Sequence, residues 1–281
     1  MVVTLAVAIT AGGAATAAPA GRNGFLTVSF DPGSEHIWRV DPATGRASAF
    51  ARASRADELA WSPNGRILVF DDVRGNRLTT RATDERGRSL PLKVPGYALS
   101  FSPDGRRVVF QSCFLRCFAV SRFDGGGLKQ LFRCRCAIYA PRWSPRGDRI
   151  VYIRQHDRPD GGVTYTIRLR TFAGRDKPLL EEGYPCFDQG DAVWSPDART
   201  IAFTCEDDSP KIYTAGADRG LPRMLTKGEL PMWSPDGTQL AFARVNNDDT
   251  RTLSLLDVRT HRVRTLLTRR IIYSIAWQPA N

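Results

Sequence analysis

Short apolar runs punctuate the chain at intervals: ILVF at 67–70, VVF at 108–110, IVY at 150–152 and IAF at 201–203. Their hydrophobic residues are successive, not alternating, which suits strands buried on both faces. Each run follows a phrase of one kind. It reads WSPNGRILVF from Trp61, FSPDGRRVVF from Phe101, WSPRGDRIVY from Trp143, WSPDARTIAF from Trp194 and WSPDGTQLAF from Trp233, with a truncated WQPAN from Trp277. The aromatic positions lie 40, 42, 51, 39 and 44 residues apart. A repeat of that length constrains the architecture before any single residue is given a role.

Within a period the elements keep one order. In the fourth copy an apolar strand ends at AVWSP (192–196), and a second, TIAF (200–203), follows the turn. A third, KIYTA (211–215), and a fourth, PRMLT (222–226), complete the unit. Four short strands per period predict a β-propeller blade. The turn has local reasons: Pro fixes φ early, Asp or Asn bonds its own backbone, and Gly takes the positive φ. Ala198 replaces that Gly in one copy, so strain or another turn type is expected there. The repeated aromatic is read as a wedge between blades rather than a ligand-stacking ring; burying an indole is worth ~4–6 kcal/mol at most.

Six copies of the first strand give six blades. The chain opens with FLTVSF (25–30), HIWRV (36–40) and ASAFA (47–51), which match the second, third and fourth strands, and it ends on a lone first strand, YSIAWQP (273–279). The predicted fold is all-β: a six-bladed propeller with four antiparallel strands per blade. Its ring is closed by the N-terminal strands pairing with the C-terminal strand, which leaves no open edge. Residues 21–281 are then one domain.

WSPDG followed by IAF and then by IY, Asp and Gly resembles the repeat of TolB-like propellers, an exported WD-like family. The resemblance covers nearly all of 24–281 and only the propeller part, without the α/β domain that precedes it in TolB. It implies a scaffold that binds partner proteins at the cell envelope. The other reading is a carbohydrate-binding protein or a metal-assisted lyase- or hydrolase-like enzyme using the channel mouth.

Composition adds the setting. With 42% hydrophobic and 25% charged residues the chain is globular, not disordered. Forty basic against 29 acidic residues give +11, a surplus that suits anionic partners. The arginines are spread through every repeat with no dense block, so nucleic acid is not expected, whereas an anionic cell-surface polymer is retained as a partner beside an envelope or extracellular protein. The first twenty residues, MVVTLAVAITAGGAATAAPA, are uncharged and small, with cleavage positions after Ala17 or Ala20. They read as a secretory signal peptide lacking its basic start. The expected protein is secreted or periplasmic, monomeric, and not membrane-spanning once 1–20 are removed.

Strand direction puts the regular turns on one face of the ring and the irregular loops and blade connections on the other, where function is sought. All six cysteines fall on that second face. Even number and export argue for disulfides: Cys186 with Cys205, and Cys113 and Cys117 with Cys134 and Cys136 in an unassigned order. Zinc is the rival, with spacing unlike a standard site. Asp71, Asp72, Asp157, Asp160, Glu206, Asp207, Asp208, Asp248 and Asp249 share the face and are read as solvated loop carboxylates rather than a Ca²⁺ site. Arg133, Arg135, His156, Tyr184, Phe187, Arg269 and Arg270 form the candidate partner-contact set, a mixture of Arg and aromatics that interfaces favour. No catalytic residue, metal or cofactor is assigned: His36, His156 and His261 sit in three different repeats, and no hydrolase, zinc-protease or nucleotide motif occurs. RGD at Arg146–Asp148 occupies the repeat's turn and is read as that turn.

Overall fold

In the computed structural model the described residues are 21–31, 33–112, 116–181, 184–186, 188–206, 209–218 and 220–280. The segment 1–20 read as a signal peptide, and Cys113, Phe187, Asp207 and Asp208, lie outside them. The chain forms six four-stranded antiparallel sheets in a ring. Blade 1 contains β1 (Arg22–Phe30), β2 (His36–Val40) and β3 (Ala47–Arg52). Blade 2 follows as β4 (Ala56–Trp61), β5 (Ile67–Arg74), β6 (Arg77–Asp84) and β7 (Ser89–Leu90). Blade 3 is β8 (Tyr97–Phe101), β9 (Arg107–Ser112), β10 (Cys117–Arg122) and β11 (Lys129–Arg133). Blade 4 is β12 (Ile138–Trp143), β13 (Arg149–Asp157), β14 (Val163–Thr171) and β15 (Asp176–Pro178). Blade 5 is β16 (Gln189–Trp194), β17 (Thr200–Cys205), β18 (Lys211–Gly216) and β19 (Arg223–Lys227). Blade 6 is β20 (Glu229–Trp233), β21 (Gln239–Val245), β22 (Arg251–Asp257) and β23 (Val263–Arg269), and the last strand, β24 (Ile272–Ala280), returns to blade 1.

The ring closes as the strand count predicts. β24 pairs antiparallel with β1, Leu26 opposite Trp277 and Val28 opposite Ile275, giving the sheet order β24-β1-β2-β3. Gly65 shows how tightly the ends meet. It sits at φ 64°, and a Cβ there would lie 1.9 Å from the Pro279 carbonyl oxygen, so only glycine fits. Two outer strands are shorter than the repeat suggests. β7 has two residues, followed by Pro91, which carries no N–H to continue the ladder, and β15 has three.

The turns explain their own sequence. Ser62, Ser102, Ser195 and Ser234 each accept at Oγ, 2.9 Å from the backbone N–H five residues on. Each hydroxyl also donates to Asn64, Asp104, Asp197 or Asp236. These bonds help hold the carboxyls of Asp104, Asp197 and Asp236 below their usual pKa against the opposing effect of burial; for Asp104 the serine bond is the largest influence. Ala198 keeps the same turn at φ 58°, close to its glycine counterparts, so the substitution is absorbed as left-handed strain. RGD adopts the repeat's turn too, with Gly147 at φ 77°.

The repeated aromatics are wedges. Trp61, Phe101, Trp143, Trp194, Trp233 and Trp277 are all at most 9% exposed. Trp61 packs with Phe25, Phe50 and Ala276 of blade 1 and donates its indole N–H to Thr27, while Trp194 donates across to the Arg142 carbonyl of blade 4. Replacing Trp194 with Ala should cost ~3–5 kcal/mol of stability by leaving a cavity between blades 4 and 5. Denaturant unfolding should show this as a lowered midpoint with an unchanged slope.

Candidate functional site

Six inner strands, β4, β8, β12, β16, β20 and β24, line the axial channel. In five of them the residue three before the repeated aromatic has left-handed backbone: Glu58, Ala98, Ala140, Asp191 and Leu230, with φ between 46° and 56°. Each lies in a β-bulge, and β24 has its own irregularity beside Ser274, where Tyr273 is skipped between the Ser274 and Ile272 pairs. The bulge places varied side chains and backbone N–H groups around the axis. Sequence reading passed over this column because no glycine marks it. At Glu58 and Asp191 a carboxylate within a short strand hints at it, whereas Ala98, Ala140 and Leu230 carry no such signal.

Two chambers occupy the channel. The one toward the irregular loops, about 370 Å³, is lined by Asp57, Glu58, Tyr139, Arg142, Asp191 and Tyr273 with apolar neighbours such as Met232. The one toward the turns, about 280 Å³, is ringed by all six wedge aromatics and the prolines that follow five of them, and is largely apolar. Arg142 borders both and bonds Glu58 from two blades away, so this ion pair stands between the chambers. None of the three histidines lines either one.

Asp157, Asp160, Asp248 and Asp249 are exposed as expected, but Asp71 and Asp72 have structural tasks. Asp71 and Asp72 are each 3% exposed. Asp71 accepts from the Ala98 N–H of blade 3 at 2.8 Å and from Thr80 at 2.6 Å. Asp72 accepts from the Ser54 N–H at 2.7 Å and pairs with Arg81 at 2.9 Å. Both are therefore stitches between neighbouring elements, which corrects the reading of them as solvated. Asp191 does the same between blades 5 and 6, accepting from the Leu230 N–H at 3.1 Å. Desolvation raises the pKa of Asp71 to about 6 despite its two donors, and burial raises Asp191 as well. Glu206, whose carboxyl lies over Gly190, is pushed up to about 7, first by desolvation and then by Asp191, Asp188 and Glu229. Among the described residues no three His, Cys, Asp or Glu side chains converge to hold a metal, and no helix is long and apolar enough to cross a membrane.

Cys186 and Cys205 are joined, tying the connection into blade 5 to the end of β17. Cys134 is joined to Cys136, so the expected link from these two to Cys113 and Cys117 is not formed. Their Cα atoms are only 5.1 Å apart in the bend after β11, a separation at which neighbouring thiols can bond each other. Cys117 is buried at the start of β10.

The candidate contact residues fall in two places. Arg133 and Arg135 are exposed at the junction of blades 3 and 4, and Tyr184 is exposed between blades 4 and 5. His156 lies on β13 in the same sector, with Nε2 2.7 Å from the Thr166 hydroxyl. Arg269 and Arg270 sit at the junction of blades 6 and 1, across the ring. There Arg269 stacks on Phe30 at 4.6 Å and faces Asp31 at 3.8 Å, and the Arg270 N–H bonds Asp31 at 2.8 Å.

Comparison with known proteins fits this architecture. No family model matches the chain. A TolB homolog of Chlorobium luteolum is 30% identical over 148 residues, half of this chain and 31% of that protein. Among solved structures, TolB from Acinetobacter baumannii superposes with a TM-score of 0.71 at 18% identity, over 91% of this chain and 67% of the other. The chain is a six-bladed propeller similar to that of TolB. It spans about a third of the length of the curated TolB homolog it matches. A chain of the nidogen–laminin complex shares the fold, with a TM-score of 0.67 at 12% identity over 90% of this chain and 98% of that one.

The raised carboxylates of this propeller give its stability a pH dependence of defined sign. A group whose pKa is higher folded than unfolded contributes fully below its unfolded value and loses that contribution as pH rises through the folded one. Thermal melts should therefore show stability falling as pH rises through about 6 for Asp71 and about 7 for Glu206. Glu206→Gln should flatten the upper part of that fall. An unchanged profile in the variant would remove Glu206 as its cause.

Proposed function

We propose that the protein is an exported, non-catalytic scaffold that binds another protein at the cell envelope. The observation that carries this reading is an apolar patch on the flank between blades 4 and 5. Leu221 is 83% exposed and Tyr184 49%. Pro178, Leu179, Leu180 and Pro222 join Leu221 and Tyr184 around a groove of about 520 Å³. Large exposed apolar side chains gathered in one place mark protein contact surfaces. The TolB likeness supports a protein partner at the envelope, and the nidogen–laminin complex provides an instance of the fold within a protein assembly. Export is supported by the apolar, uncharged 1–20 segment and by disulfides, which persist in oxidising compartments. The Cys186–Cys205 bond braces the base of the Tyr184 loop and so limits the ordering cost of binding.

A photo-crosslinking residue at Tyr184, introduced into the full chain in intact cells, should capture one discrete protein. The same residue at Thr44, on the turn face of blade 1, should not. Leu221→Glu should reduce the Tyr184 adduct at least about fivefold, as loss of roughly 1 kcal/mol of apolar contact requires. No discrete adduct at Tyr184, or one insensitive to Leu221→Glu, would overturn the reading.

A further inference from the structure

We infer that the Cys134–Cys136 disulfide is a thiol–disulfide exchange site, able to oxidise dithiols of other proteins. The two disulfides among the described residues differ in the loop they close and in their exposure. Cys186–Cys205 bridges a separation of 19 residues, and its cysteines are 5% and 1% exposed. Cys134–Cys136 bridges a separation of 2, with both cysteines half-buried at the surface. A cross-link stabilises a fold chiefly by the entropy it removes from the unfolded chain, which grows with the closed loop. The Cys134–Cys136 loop is nearly the smallest a disulfide can close, so its contribution to folding is slight. Its accessibility favours attack by an incoming thiolate.

The surroundings favour release of a thiolate. Arg133 precedes the pair and Arg135 lies between its two cysteines; both are exposed, and neither enters an ion pair among the described residues. The exposed Arg116 lies on the facing segment, its carbonyl accepting the Cys134 N–H at 2.9 Å. Cationic neighbours stabilise thiolate and so improve the leaving group. The backbone adds a direction. The Cys136 N–H donates to Cys134 Sγ at 3.2 Å, a bond that strengthens when that sulfur carries charge. Cys134 is therefore the leaving sulfur and Cys136 the one attacked. The bend is anchored on both sides, by the Cys134 bond to Arg116 and by the fully buried Ile138, so the two sulfurs stay adjacent when reduced.

The step balances without an outside oxidant. A substrate thiolate attacks Cys136 Sγ, the Cys134–Cys136 bond breaks, and Cys134 departs as thiolate. The second substrate thiolate then attacks the substrate sulfur of the mixed disulfide and releases Cys136. Two electrons and two protons pass to the cysteine pair, and the substrate leaves as a disulfide.

The test uses the folded full chain equilibrated in glutathione buffers of graded redox ratio, then alkylated and mapped by mass spectrometry. Cys134 and Cys136 should become reduced at ratios where Cys186–Cys205 remains oxidised and the thermal melt is unchanged. The oxidised protein should convert a reduced dithiol peptide to its disulfide, with the trapped adduct on Cys136. A Cys134→Ser/Cys136→Ser variant should keep its melting temperature and lose this reaction, and Arg133→Gln/Arg135→Gln should slow it roughly three- to tenfold. Reduction of the pair only on unfolding, or in step with Cys186–Cys205, would overturn the inference. So would peptide oxidation that persists in the double serine variant.

Discussion

Everything in this molecule depends on the pairing of β24 with β1. Each blade is a small twisted sheet with two apolar faces and cannot stand alone; only neighbours on both sides cover it. An open row of six such units would end in two exposed faces. Bringing the last strand beside the first turns the row into a ring, and the fit is close enough that Gly65 of blade 2 meets the Pro279 carbonyl. Gln278 fastens the same place by donating to the Gly65 carbonyl at 2.8 Å.

The ring geometry decides where polar side chains can go. No backbone ladder joins one blade's sheet to the next, and side chains span the junctions instead. Asp71 crosses from blade 2 to blade 3, Asp191 from blade 5 to blade 6, and Ser274 from blade 1 to blade 2 by accepting the Leu59 N–H at 3.2 Å. A buried backbone donor left unpaired is costly, and a carboxylate beside it offsets that cost while raising its own pKa. The left-handed residues of the inner strands belong to the same solution. They form the bulges whose N–H groups these carboxylates at blades 3 and 6 accept. The channel is therefore furnished mainly by the requirements of holding six blades together. The features free of that requirement are elsewhere, on the flank at Tyr184 and Leu221 and in the bend at Cys134 and Cys136.

The fold was legible because its determinants are local and repeated. Trp-Ser-Pro-Asp-Gly encodes a turn through bonds within six residues, and six copies fix the blade count. The stitches were not legible, because their partners are distant: Asp71 looks like the start of a loop until Ala98 is placed beside it. Cys186–Cys205 formed as expected, whereas the pairing expected of Cys134 and Cys136 failed for a related reason. Loops at one blade junction suggested cross-links between segments, whereas the bend after β11 folds Cys134 onto Cys136. The contact set divided because residues sharing a face of the ring can lie at opposite sides of it, as Arg133 and Arg269 do.

The most direct test of the central claim, that closure holds all six blades, is amide hydrogen exchange on the intact chain and on one ending at residue 271, which lacks β24. The account predicts that protection falls in every blade of the shortened chain, because an open ring exposes faces at both ends and loses cooperativity. Protection lost in blade 1 alone, with blades 2 to 6 unchanged, would contradict it.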